Sequence, residues 1–215
     1  MPTQEYHNAK GEKIPGNTTV IGKNLGWNKN VLLYWAWKEG KEGRDFRQTQ
    51  GAAASAGTLA HSLVEADIKN QPSPDFDKYP EEVVSKAESA FQNYLEWKRQ
   101  THFMPITMEV PVISEVLQAG TTIDIIGWVA GRRSIVEVKT SNGIYEDYLV
   151  QLAMQAAAWD ENHPGEPIEA LHLLKLGKEE ATFTHHYWQA LPDGLEAFRH
   201  LRALHDLHAA LKELL

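Results

Sequence analysis

Ile123-Asp124-Ile125-Ile126-Gly127, followed after a short polar break by Ile135-Val136-Glu137-Val138-Lys139, decides the fold. Both segments are rich in β-branched residues. Gly131-Arg132-Arg133-Ser134 between them is short enough to favour an antiparallel hairpin. Strand side chains alternate, so Glu137 and Lys139 share one face and Val136 and Val138 the other. The hairpin brings Asp124 near Glu137, and two carboxylates converge with an ammonium. Glu-x-Lys alone is a common surface-strand pattern. Asp124, however, lies among Ile123, Ile125 and Ile126, where an unpaired charge is costly to bury. Magnesium, which takes hard oxygen ligands and keeps water or substrate phosphate in its shell, is a suitable counterion. Crowding raises the pKa values of paired carboxylates, and a bound dication reverses that repulsion. Lys139 can then orient or help deprotonate a water, or neutralise charge building on a phosphate.

Working outward, Met108, Val110 and Val112 alternate with Thr107, Glu109 and Pro111, a strand whose Pro111 marks an edge or a bulge. Strands are predicted at about 121–129 and 134–140, then a helix over about 145–162. Ile168–Leu176 and Ala181–Tyr187 read as a strand pair turned at Gly177-Lys178. Leu195, Phe198, Leu201, Leu204, Leu207 and Leu211 give a closing helix over about 194–215. Upstream, residues 1–16 read as an irregular arm, with order beginning at Thr18 or Thr19. Leu32, Leu33, Trp35 and Ala36 predict a helix over 25–38, ended by Gly40 and Gly43. A helical region over 46–69 is expected to break or restart near Gly57-Thr58, with Thr58 as its cap. Pro80-Glu81-Glu82 starts a helix running to about Arg99, with Val84, Ala87, Phe91, Tyr94 and Leu95 as its buried stripe. Helices, three strands, a helix, two strands and a helix predict one α/β domain over 1–215.

The 42% hydrophobic content of these 215 residues is ordinary for a globular chain. No apolar run reaches the roughly 18 residues of a membrane span, and the first residues lack a signal-peptide pattern. The expected location is the cytoplasm of a bacterial or phage-infected cell, with no membrane partner. The absence of cysteine excludes disulfides, thiolate zinc sites, iron–sulfur clusters and thiol nucleophiles. A net charge of −8 argues against a protein that coats nucleic acid, but not against an enzyme whose acidic site is neutralised by metal.

Two further pairs carry chemistry. On a helix His61 and Glu65 face the same way one turn apart; the imidazole can be a third ligand to manganese or magnesium, and Glu65 can act through water or hold a neighbour. Tyr148, Gln151 and Gln155 share a helix face opposite Leu149, Leu152, Ala156 and Trp159. Such amides can bond to a DNA phosphate, a base or Lys139. Trp35 and Trp37, two apart, cannot face the same direction: core packing is expected for one, a loop or partner contact for the other. Arg44, Arg47, Lys98, Arg99, Arg132 and Arg133 are candidates for strand guidance, while His163, His172, His185, His186, His200, His205 and His208 read as structural or surface groups.

Gly57-Thr58-x-x-His61-x-x-x-Glu65, Ile123-Asp124, Glu137-Val138-Lys139 and Gln151-Leu152, in this order, resemble the PD-(D/E)XK nuclease superfamily, specifically its RecB-like exonuclease branch. Leu33-x-Trp35-Ala36 looks like the segment preceding the histidine in phage and mitochondrial members. The resemblance covers about 18–159. It implies a restriction-endonuclease-like core, a central mixed β-sheet flanked by helices. It also implies Mg2+ or Mn2+, one or two ions, held by His61, Asp124, Glu137 and the Val138 carbonyl. Lys139 would serve the attacking water, with Gln151 completing the catalytic set; Glu65, Gln155 and Tyr148 are supporting candidates from their helix spacing. Where many members carry a tyrosine four residues after the glutamine, this chain has Gln155. The lack of cysteine points to the cluster-free, stand-alone members. The implied reaction is in-line hydrolysis of a DNA phosphodiester, with the DNA single-stranded or carrying a free end. The setting would be recombination, repair or phage DNA processing, beside a recombination or replication protein. The competing readings are an endonuclease with the same centre and a non-catalytic nuclease-fold module that binds DNA or protein.

Overall fold

The computed structural model describes residues 4–180 and 182–215, so the predicted strand residue Ala181 and the first three residues of the arm lie outside the described residues. The rest of the arm is less irregular than its glycines and proline imply. β1 (Tyr6–His7) pairs antiparallel with β2 (Lys13–Ile14). What orders it is remote in sequence. A Cβ on Gly120 would come within 2.1 Å of the Tyr6 ring, and the Tyr6 hydroxyl bonds to Thr122 Oγ1 at 2.9 Å. Only glycine permits that approach.

Helix α1 (Asn17–Asn24) follows, then α2 (Lys29–Lys41), which starts later than predicted. α3 (Phe46–Lys69) corrects the expected break: it is one uninterrupted helix of 24 residues. Alanines at 52, 53, 54 and 56 sustain it. Gly57 serves packing instead, because a Cβ there would meet Thr140 Oγ1 at 2.8 Å. Thr58 is therefore interior; the cap is Asp45, whose side chain accepts from the Arg47 N–H at 2.9 Å. α4 (Glu81–Thr101) has Glu81 and Glu82 in its first turn, as read, and buries Val83, Ala87, Ala90, Tyr94 and Trp97, with Val84, Phe91 and Leu95 half-covered beside them.

β3 (Met104–Ser114), β4 (Ala119–Val129) and β5 (Arg132–Lys139) form an antiparallel meander. α5 (Asp147–Asn162) then crosses to β6 (Ala170–Leu176), parallel to β5, and β7 (Phe183–Trp188) returns antiparallel before α6 (Pro192–Lys212). The result is the predicted α/β architecture, a five-stranded mixed sheet in the order β3-β4-β5-β6-β7 flanked by helices. The single parallel pair is the one joined by a helix, as a crossover requires. β3 is an edge strand, as Pro111 implied, although its register slip falls between Pro105 and Thr107.

α3 and α4 cover one sheet face through Leu59, Leu63, Trp97, Ile125, Val136 and Val138. α1, α5 and α6 cover the other through Val20, Leu152, Phe198, Ile126, Ile135 and Leu173. The predicted stripe of α6 is only partly used: Phe198 and Leu201 are buried, but Leu204, Leu207 and Leu211 are exposed. Among the described residues no helix is long and apolar enough to cross a membrane.

Candidate active site

The β4–β5 ladder pairs Val129 with Arg132 through Ile125 with Val136, then ends. One step on, the Val138 N–H donates to Asp124 Oδ2 at 2.9 Å. A side chain thus replaces the carbonyl a regular ladder would offer. The strands splay at the level of Asp124 and Glu137, and β3 is irregular at the same level. Glu109, opposite Asp124, has φ of 53°, a left-handed conformation costing a non-glycine residue about 1–2 kcal/mol. That strain accompanies a specific gathering: donor atoms of His61, Glu109 and Asp124 all lie within 4.8 Å of one another. α3 brings His61, β3 brings Glu109 and β4 brings Asp124.

Glu137 adjoins this group but is held differently. Its side chain is 1% exposed. Oε1 accepts from Lys139 Nζ at 2.6 Å and Gln151 Nε2 at 2.7 Å, and Oε2 from Gln155 Nε2 at 2.9 Å. Lys139 Nζ also donates to Gln151 Oε1 at 3.2 Å and stands 4.6 Å from the centre of the Tyr148 ring, a cation–π contact. Gln155 anchors itself to the Thr122 carbonyl at 3.2 Å. The α5 face read from sequence therefore meets Glu137 and Lys139. Gln155, where the resemblance leads one to expect a tyrosine, fixes the Glu137 carboxylate. Gln151 is braced in turn through its backbone, the main-chain carbonyl accepting from Asn17 Nδ2 at 3.1 Å.

Burial and then the Glu137 carboxylate hold Asp124 well above the usual aspartate range, with His61 and Lys139 opposing. Burial likewise raises Glu109. For Lys139 burial pushes downward, but the carboxylates of Glu137 and Asp124 outweigh it and hold the ammonium above its ordinary value. Lys139 is thus a charged donor, suited to orienting a water or neutralising a phosphate and poorly suited to taking a proton. Imidazole plus two carboxylates, crowded and partly desolvated, is a donor set that fits Mg2+ or Mn2+. The surrounding cleft, about 750 Å³, is lined by His61, Glu109, Asp124, Glu137, Val138, Lys139 and Gln151 and reaches the start of α1.

No family model and no curated protein matches this sequence. Solved structures with a similar chain path include a candidate exonuclease from Eubacterium rectale, with 12% identity over 69% of this chain and 64% of the other at a TM-score of 0.49. The alkaline exonuclease LHK-Exo from Laribacter hongkongensis gives 12% identity over 59% and 69% at 0.43, and its complex with dAMP gives 11% over 73% and 82% at 0.44. The chain thus spans 64% of the length of the first of these.

Glu65 stands apart from the cluster and pairs with Lys69, one turn along α3, though its charge adds to the forces raising Glu109. The six basic residues proposed for strand guidance do not line the cleft. Arg44 pairs with Glu39, Lys98 with Asp67, Arg99 with Glu96 and Arg133 with Glu166, while Arg132 bonds to Tyr187. Besides Lys139, the cation that does line it is Lys178, on the turn after β6. Sequence reading also missed Glu109. It looked like an ordinary solvent-facing position of an alternating strand; the nearby prolines, which foretold irregularity, were its only signal.

Proposed function

We propose that this chain is a metal-dependent deoxyribonuclease of the PD-(D/E)XK superfamily, in its RecB-like exonuclease branch. It would hydrolyse phosphodiester bonds of single-stranded or end-containing DNA during recombination, repair or phage DNA processing in the cytoplasm. One observation carries this reading: Asp124, Glu137 and Lys139 converge where β4 and β5 splay, with His61 and Glu109 completing a set of donors.

His61, Glu109 and Asp124 would hold one divalent ion, and Glu137 with the Val138 carbonyl would join them or take a second. When bound, the ion supplies Lewis-acid stabilisation of charge on the attacking and leaving oxygens. The residues supply position. Gln151 and Gln155 fix Glu137 in one orientation. Tyr148 and Gln151 hold the Lys139 ammonium facing the cleft, where it can donate to a water or a phosphate oxygen. Because Lys139 is charged, its contribution is electrostatic stabilisation and alignment. The proton leaving the attacking water passes instead to solvent or to a phosphate oxygen.

The test is cleavage of end-labelled linear and circular single-stranded DNA with magnesium, manganese or chelator. The reading predicts loss of linear DNA only, abolished by chelator. Degradation of the circular strand would replace the exonuclease with an endonuclease. No metal-dependent cleavage of either form would leave a binding module.

A further inference from the structure

Helix α2 is poorly used by the fold. On its inner side Trp35 is half-buried, meeting Phe46 edge-on at 6.1 Å, and Glu39 is buried because Arg44 and Thr49 bond its carboxylate at 2.8 and 2.9 Å. Its outer side carries Leu33, Tyr34 and Trp37, exposed by 69%, 64% and 57%. Positions 34, 37 and 41 share one stripe of a helix. The Tyr34 and Trp37 rings lie 5.7 Å apart, and Lys41 Nζ stands 5.1 Å from the Trp37 ring. Large apolar patches exposed on a folded protein commonly mark interaction sites.

Charge identifies the occupant. Residues 23–47 hold six lysines and arginines against three carboxylates, in a chain whose net charge is −8. This segment is thus locally basic in an acidic molecule, and Lys41 stands beside an exposed ring. Aromatic faces flanked by ammonium groups are how proteins hold single-stranded nucleic acid without sequence preference, by stacking on bases and attracting phosphates. The helix bearing the patch is joined to a wall of the cleft through α3. α3 begins after a four-residue link, and its Gln50, Ala53, Ala54, Gly57 and His61 form one cleft wall. From Phe46 to His61 that helix climbs about 22 Å.

We propose that α2 is a landing platform for single-stranded DNA. Successive bases stack on Tyr34 and Trp37, Lys38 and Lys41 meet the phosphates, and the strand then follows α3 into the cleft. This rests on the nuclease reading and adds to it the path by which substrate arrives.

The test compares wild type with Tyr34→Ala/Trp37→Ala for binding a labelled oligothymidylate of about 16 nucleotides, by fluorescence anisotropy in chelator. Two stacked bases at the low end of about 1–3 kcal/mol each correspond to at least about a 30-fold loss of affinity. Trp37→Phe keeps a ring and should stay near wild type. Hydrolysis of the p-nitrophenyl ester of thymidine monophosphate, too small to reach α2, should be unchanged in the double variant. Unaltered oligonucleotide affinity in that variant overturns the platform, as does a wild-type dimer that the double variant dissociates without any change in DNA binding. A protein that binds the strand through these rings yet cleaves nothing would instead defeat the nuclease reading and leave the platform standing.

Discussion

Where β4 and β5 splay, Asp124, Glu137 and Lys139 gather partly or fully buried ionisable groups, with Lys139 bonded to Glu137. On the neighbouring strands, His172 of β6 and His185 of β7 are also drawn inside, with rings stacked at 5.0 Å and Nδ1 and Nε2 2.8 Å apart. Burial pushes His172 down to about 4, and burial followed by the charge of His186 lowers His185. The histidine pair meets desolvation by staying neutral. The carboxylates cannot all do so, because Lys139 and His61 favour their charged forms. The histidine pair thus needs no counter-charge, although His172 Nε2 is buried without a partner among the described residues, whereas the acidic cluster carries a charge burden that a divalent ion would relieve. That contrast separates a packing solution from a candidate active site, although both look like buried polar residues on strands.

The largest expected effect breaks the acidic cluster. Asp124→Ala or Glu137→Ala should lower the initial rate on end-labelled DNA by about 10³-fold or more, while His172→Gln should leave it near wild type. Metal should then sharpen the contrast. At about 100 times its Kd, Mg2+ or Mn2+ should stabilise the fold by about 2.7 kcal/mol, raising Tm by roughly 5–11 °C in calorimetry. Asp124→Asn should remove that rise. Since burial raises the Asp124 pKa, its ionised form is the destabilising one, so the same variant should be more stable than wild type without metal. A lower metal-free Tm would contradict this.

Acid should act on the other cluster. The His172 pKa is depressed by folding, so its stabilising contribution is complete above about 6.5 and disappears as pH falls through about 4. The unfolded chain binds the proton first, and the loss amounts to about 3 kcal/mol. Urea denaturation from pH 7 to 4 should therefore show a slope that His172→Gln flattens; an unchanged slope would mean that His172 is protonated in the native state. The smallest effect concerns backbone strain. Glu109→Gly should relieve its left-handed conformation, stabilising the metal-free fold by about 1 kcal/mol, yet weaken metal binding in a calorimetric titration. Destabilisation would show that the Glu109 side chain holds the edge strand together.

Much of this was legible in the sequence because it is local and periodic. Alternation around Asp124 and Glu137 fixed the hairpin, its faces and its neighbouring acids. The one-turn spacing of Tyr148, Gln151 and Gln155 gave a single helix face, and that face indeed turns to Glu137 and Lys139. What escaped depends on contacts between remote segments. Gly57 reads as a breaker until Thr140 is seen beside it, and the Tyr6 hairpin is ordered by Gly120. Glu109 enters the cluster through a backbone turn that strand alternation does not encode. The apolar stripe of α2 predicted the helix correctly but not the exposure of Leu32 and Leu33, since periodicity reports an amphipathic face and not what covers it.

Lys139 offers the most direct test of the claim that this cleft hydrolyses phosphodiesters. Mn2+ affinity and single-turnover cleavage of linear DNA should be measured together in wild type and Lys139→Ala. The account predicts Mn2+ binding within a few-fold of wild type and a cleavage rate reduced about 10²–10³-fold. Cleavage by Lys139→Ala at the wild-type rate, or cleavage by wild type that survives chelator, would contradict it.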